Sequence, residues 1–178
     1  MRHATFAVLA AAALVGAAGA QETALTEVDA RSFVEDLTGE ARRLAGGEGD
    51  IMGWTERNVA EDARIVARGV VLGPGGSVAR YDIVTGREEI SRLAGMAMPH
   101  GGGGLEDYSL TGDVAHAAPL PGGRIAATVR FAEAGSFPST AGGEAVSFES
   151  NSVCELRLGR VEDRIVIELA ACETTTTM

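Results

Sequence analysis

VAEDARIVARGVVLGPGGSVARYDIVTGREEISRLAGMA, residues 59–97, carries three local periods one after another. Ala63 to Leu72 is rich in Val and Ile and predicts a strand. Gly73, Pro74, Gly75 and Gly76 supply a turn, because Gly tolerates positive φ and Pro presets its own. Ser77 to Val84 predicts a second strand. Thr85 and Glu88 stand three apart, the spacing at which a hydroxyl and a carboxylate cap a helix start reciprocally. A helix is therefore expected from about Gly86, with Ile90, Leu93 and Ala97 on one face, stopped by Pro99 and the run Gly101 to Gly104.

Outward from this stretch, the order of elements follows from period and punctuation. Leu25 to Leu44 places Ala30, Phe33, Val34, Leu37, Ala41 and Leu44 at helical spacing and predicts an amphipathic helix ended by Gly46, Gly47 and Gly49. Asp50 to Val59 predicts a short second helix carrying Trp54, the sole Trp of the chain, as a core plug or a ligand platform. Downstream, Tyr108 to Leu120 and Gly123 to Ala134 form an expected hairpin about Pro121 and Gly122. In its second arm Ile125, Ala127, Val129 and Phe131 alternate with Arg124, Ala126, Thr128 and Arg130. Gly135 to Gly143 is expected as a loop, Glu144 to Leu158 and Arg164 to Cys172 as a last hairpin, and 174–178 as a disordered polar tail.

Residues 1–20, MRHATFAVLAAAALVGAAGA, have the basic start, short apolar run and small-residue end of a cleaved export signal. The run is shorter than the roughly 20 residues that span a bilayer. A periplasmic or secreted location is the expectation, with residues 21–173 as one domain. Losing twenty residues from 178 leaves 158, and losing Arg2 takes the formal charge from -10 to -11. Such a chain suits neither nucleic acid nor an anionic membrane surface. All the cations are Arg, so Lys Schiff-base and Lys general-base chemistry are excluded. An Ala-, Gly- and Arg-rich chain without Lys suggests a GC-rich bacterial genome.

Helix, short helix, two strands, capped helix and four longer strands is an α+β order, in which a curved antiparallel sheet wraps around three helices. That order, with VAEDARIV before the first turn and TGREEISRL after the second strand, resembles the nuclear transport factor 2-like superfamily, which includes SnoaL-type cyclases and ketosteroid isomerases. The resemblance spans about Thr26 to Glu173. It implies a cone-shaped, cystatin-like α+β roll with an apolar pocket between sheet and helices, whose open sheet face often pairs with a second copy. In ketosteroid isomerases a carboxylate abstracts a proton beside a carbonyl, aided by a Tyr and a protonated Asp. Carried onto this chain, the base position falls on Ala67, the Tyr position near Arg42 and the acid position near Cys154. None of the three matches, so that particular chemistry is not expected.

Other groups remain for a pocket of this kind. Asp82 beside Tyr81 is a candidate general acid or base, though neighbours on a strand point to opposite faces. His116, among Val114, Ala115 and Ala117, is a candidate proton-transfer group or a plain strand-surface histidine. Trp54, Tyr81, Ser152 and Cys154 are the candidate pocket lining. His100 beside Pro99 fits a solvated loop. No ligand spacing supports a metal site, no Gly-x-Ser-x-Gly elbow is present, and no cofactor is implied.

Cys154 and Cys172 pose a conflict. Export favours a bond between them. If Ile165, Ile167 and Leu169 share a face with Phe148, Cys154, Leu156 and Leu158, however, Cys172 falls on the other face, opposite Glu149 to Asn151. Only a bulge or a curled tail would reconcile the two.

The expected function is an exported module that binds a small apolar or amphipathic molecule or dimerises. The alternative is a cofactor-independent SnoaL-type isomerase, cyclase or lyase working through Asp82 or His116.

Overall fold

A computed structural model describes residues 23–90, 105–138 and 145–178. The expected export signal, the expected course of the third helix beyond Ile90 with Pro99 and His100, the Gly101 to Gly104 run and residues 139–143 of the expected 135–143 loop lie outside the described residues.

Two helices come first, α1 (Glu27–Ala45) and α2 (Ile51–Asn58). Thr26 caps α1: Asp29 N–H donates to its hydroxyl at 3.3 Å, and Thr26 N–H donates to the Asp29 carboxylate at 2.7 Å. Asp50 caps α2 by accepting from Gly53 N–H at 2.9 Å. Six strands follow: β1 (Val59–Leu72), β2 (Val78–Thr85), β3 (Glu106–Pro119), β4 (Ile125–Phe137), β5 (Val146–Val161) and β6 (Arg164–Thr177). A third helix opens after β2, helical over 87–90, with Ile90 N–H donating to Gly86 C=O at 3.0 Å. Its Thr85 hydroxyl meets Glu89, at 3.2 Å, rather than Glu88.

The strands form one curved, unclosed sheet in the order β2-β1-β6-β5-β4-β3. It is antiparallel except between β1 and β6, which run parallel. Parallel pairing needs a long crossover, and here β2 to β5 lie between the two strands in the chain.

Register turns the alternation of each strand into rows across the sheet. On the face that the helices cover, the row Val59, Ile167, Leu158 and Ile125 is buried throughout. Next come Ala170, Leu156 and Ala127, then Ala67, Cys172, Cys154, Val129 and Val114. Beyond these the inner face becomes polar: Ser152 and Thr174 hydroxyls lie 2.8 Å apart, and Ser150 and Thr176 3.0 Å apart. Helix α1 lies on β3, where a side chain on Gly112 would meet Val34 at 2.7 Å. Leu25 N–H donates to Gly123 C=O at 2.9 Å and pins the start of α1 to the β3–β4 hairpin.

Two expectations need correction. The polar close is no free tail: Thr174 to Thr177 pair with Gly69 to Leu72 on one side and Glu149 to Ser152 on the other. Threonine is β-branched and satisfies both ladders from an interior position. The parity of β6 also changes along its length. Leu158 pairs with Ile167 but Arg157 with Leu169, so Glu168 is an extra residue that turns every later side chain over. Ala170 and Cys172 then face inward, Cys172 stands directly opposite Cys154, and the two are joined as a disulfide.

Candidate functional site

A broad hollow among the described residues is not enclosed between sheet and helices. It is a groove of about 890 Å³ bounded by consecutive residues of five strands: Arg68 to Val70, Arg80 to Asp82, Arg130 and Phe131, Asn151 to Val153, and Glu173 to Thr175. The middle residues, Gly69, Tyr81, Ser152 and Thr174, form one register row. Their side chains point to the helix side, as Ser152 shares the parity of buried Cys154. The outward rows on either side line the hollow, whereas the next inward rows, with Cys154 and Cys172 or Ser150 and Thr176, do not, which puts the groove on the open face of the sheet. Its floor is backbone and its walls are two rows of outward side chains.

One wall holds Asp82, Arg68, Glu173, Val153 and Arg130, and the other Arg80, Val70, Thr175 and Asn151. Arg68 donates to Asp82 at 3.2 Å, and both are exposed. Arg80 and Arg130 have no ion-pair partner among the described residues. Three Arg against two carboxylates leave the groove with a surplus positive charge in a chain of formal charge -10. Val70 and Val153 put apolar surface between the charges, and Val153 is 49 % exposed.

The predicted site residues separate. Asp82 is on this wall and His116 is exposed on β3 at the opposite edge. Five strand spacings of roughly 4.8 Å put them about 24 Å apart, so they do not share a site. Tyr81 turns inward over Gly69, where any side chain would meet the phenol ring at 2.5 Å. Ser152 pairs with Thr174 across the inner face, and Cys154 is 3 % exposed within its disulfide row. Trp54 packs against the core cluster and takes no part in the groove. The ketosteroid-isomerase base position, Ala67, sits in the row of the disulfide with Val129, where no group can move a proton.

No protein-family model matches the chain, and no curated protein matches it in sequence. Solved structures that it is similar to include a domain of unknown function with a cystatin-like fold from Nostoc punctiforme, at 14% identity and TM-score 0.46 over 85% of this chain and 78% of that one. An NTF2-like protein of unknown function from Shewanella baltica is similar at 9% identity and TM-score 0.43, over 84% and 97%. A ketosteroid isomerase-like protein from Erwinia carotovora atroseptica is similar at 13% identity and TM-score 0.40, over 82% and 93%.

Sequence reasoning missed one polar pair. The Tyr108 hydroxyl donates to Glu133 at 2.8 Å, both half-buried, in the inner row that continues to Ser150 and Thr176. Burial first, and then the hydrogen bond to Glu133, push the phenol well above its ordinary pKa of 10.0. A group whose pKa is higher folded than unfolded supports the fold below the unfolded value, and that support is lost as pH rises toward the folded one. Stability is therefore expected to fall above about pH 10, and Tyr108→Phe is expected to flatten that fall, as read from urea midpoints across pH 8–11.5. An unchanged alkaline slope in the variant would show that Tyr108 ionises as freely as it does in the unfolded chain.

Proposed function

We propose that this chain is an exported, non-catalytic binding module whose working surface is the open face of the sheet, and that it takes an amphipathic molecule with an anionic head. The observation that carries this is the groove: long, apolar between its charges, and bearing Arg80 and Arg130 without carboxylate partners among the described residues. Its volume is within the range of small-molecule sites, roughly 300–1,000 Å³. An Arg guanidinium gives a carboxylate or phosphate two parallel hydrogen bonds, while Val70 and Val153 meet the aliphatic part.

The test is calorimetric titration of the full chain with dodecanoate and with 1-dodecanol. Dodecanoate is expected to bind and the alcohol to bind more weakly. Arg130→Glu is expected to weaken dodecanoate about tenfold, the worth of one charge-assisted contact. Equal affinity for both probes, or none for either, would reject the reading.

A second copy on the same face is the other reading, and one observation favours it. In the row Arg68, Glu173, Val153, Arg130, Asp113 the signs reverse about Val153. A two-fold axis along β5 would set Glu173 against Arg130 and Arg68 against Asp113 of the mate. The two occupancies exclude each other, and Asp113 is outside the groove. Asp113 stands opposite Arg130 and also meets Arg31 at 3.6 Å, so Asp113→Arg separates the readings by sign: it weakens a face-to-face dimer and does not weaken dodecanoate binding.

A further inference from the structure

Strand β2 is an edge of the sheet, and among the described residues no strand pairs with its far side. Three of its eight residues are large, apolar and exposed: Val78 at 58%, Ile83 at 45% and Val84 at 53%. It has no proline or bulge to blunt the edge, two of the devices by which sheets avoid pairing there; a third, charge, is present as one residue of each sign, Arg80 and Asp82.

Which groups the edge offers follows from the ladder. Gly73 N–H donates to Ser77 C=O at 2.8 Å. Hydrogen-bonded and open pairs alternate in an antiparallel ladder. Counted from that bond, Ala79, Tyr81 and Ile83 direct their N–H and C=O toward β1, whereas Val78, Arg80, Asp82 and Val84 direct theirs away from it. The bond from Met178 N–H to Leu72 C=O, at 2.8 Å on the other side of β1, agrees with this alternation.

We infer that β2 pairs antiparallel with β2 of a second copy, about a two-fold axis normal to the sheet at Tyr81, so that two six-stranded sheets join edge to edge. A normal axis leaves each face on its own side, so paired residues must have the same parity. Only a few registers remain. Centring on Arg80 sets Arg80 against Arg80, and centring on Asp82 sets Asp82 against Asp82. Centring on Tyr81 sets Arg80 opposite Asp82 of the partner twice over, Val78 opposite Val84, and Ala79 opposite Ile83. Opposite charges meet, every exposed apolar side chain of the strand finds an apolar mate, and Arg80 gains a carboxylate. The outward backbone groups of Val78, Arg80, Asp82 and Val84 fall on hydrogen-bonded pairs. Edge pairing leaves the open face uncovered, and with Arg80 taken by the partner's Asp82 the groove keeps Arg130 as its cation without a carboxylate partner among the described residues.

The register is tested through position 81. Tyr81 would face its own copy in an open pair, where β-carbons come closest. Cys154 and Cys172 are already bonded to each other, so Tyr81→Cys adds the one thiol free to cross-link among the described residues. Under mild oxidation of the full chain, Tyr81→Cys is expected to form a covalent dimer at least about tenfold faster than Ala79→Cys, whose mate is Ile83. Adding Val84→Pro to the Tyr81→Cys chain is expected to abolish the cross-link with the fold intact, since the Val84 N–H points off the edge. Circular dichroism and gel filtration check that each variant is folded. Equal cross-linking at 79 and 81, no cross-link in folded Tyr81→Cys, or a cross-link that survives Val84→Pro would overturn the inference. A face-to-face dimer leaves the two β2 edges far apart and gives no cross-link at 81, so the two assemblies are distinguished.

Discussion

Leu158→Ala is expected to lower the free energy of unfolding by about 3 kcal/mol, within the 2–5 kcal/mol span of buried leucine truncations. Leu158 is fully buried, between Ile125 and Ile167 in the row that also holds Val59. The cost has two parts, the lost transfer of the side chain from water and the cavity left behind. Strands on both sides hold the cavity open, because neither can move without breaking its own ladder. Urea denaturation followed by far-ultraviolet circular dichroism measures it. A loss below about 1 kcal/mol would mean that the row closes over the gap, and would contradict the close packing that sets this cost.

Removing the disulfide is the second large perturbation. The double variant Cys154→Ala, Cys172→Ala is expected to lose about 3 kcal/mol, the usual worth of closing a loop of this order; the two cysteines are 18 residues apart in sequence. The bond crosses adjacent strands at the last apolar row before the hydroxyl rows begin. Its loss is therefore expected to loosen the Ser152–Thr174 and Ser150–Thr176 pairs first, seen as faster amide exchange at Thr174 to Thr177 than at Leu156 to Leu158. Equal midpoints for the oxidised protein and the double variant would show that the link adds nothing to the fold.

Much of this architecture is legible in the chain itself. The Gly73-Pro74-Gly75-Gly76 turn dictates the β1–β2 hairpin, and Gly75 and Gly76 do take positive φ, 71° and 82°. The stripe Ala30, Phe33, Val34 does bury one side of α1. Three features were hidden, for physical reasons. A parity count assumes an unbroken strand, and the extra residue at Glu168 is a backbone event that its side chain does not announce. Thr174 to Thr177 read as a polar tail because no apolar residue marks them, yet their neighbours on both sides supply what burial did not. The groove was hidden more deeply. Its walls come from five strands brought side by side by pairings far apart in sequence, and no local spacing of Arg80, Arg130 and Glu173 records that they will be neighbours. Asp82 was singled out for the company of Tyr81, but its partner is Arg68, fourteen residues away and one strand over.

The position of β6 has a consequence for how this protein comes into being. The sixth strand in chain order lies in the interior of the sheet, between the first strand and the fifth. Until its residues emerge, β1 with β2 and β3 with β4 and β5 are two separate pieces, each showing an unpaired edge and half an apolar face to the surroundings. Neither piece can complete the sheet without β6, which pairs with β1 on one side and β5 on the other. Such a topology makes the sheet close in one late step that joins the two pieces along β6.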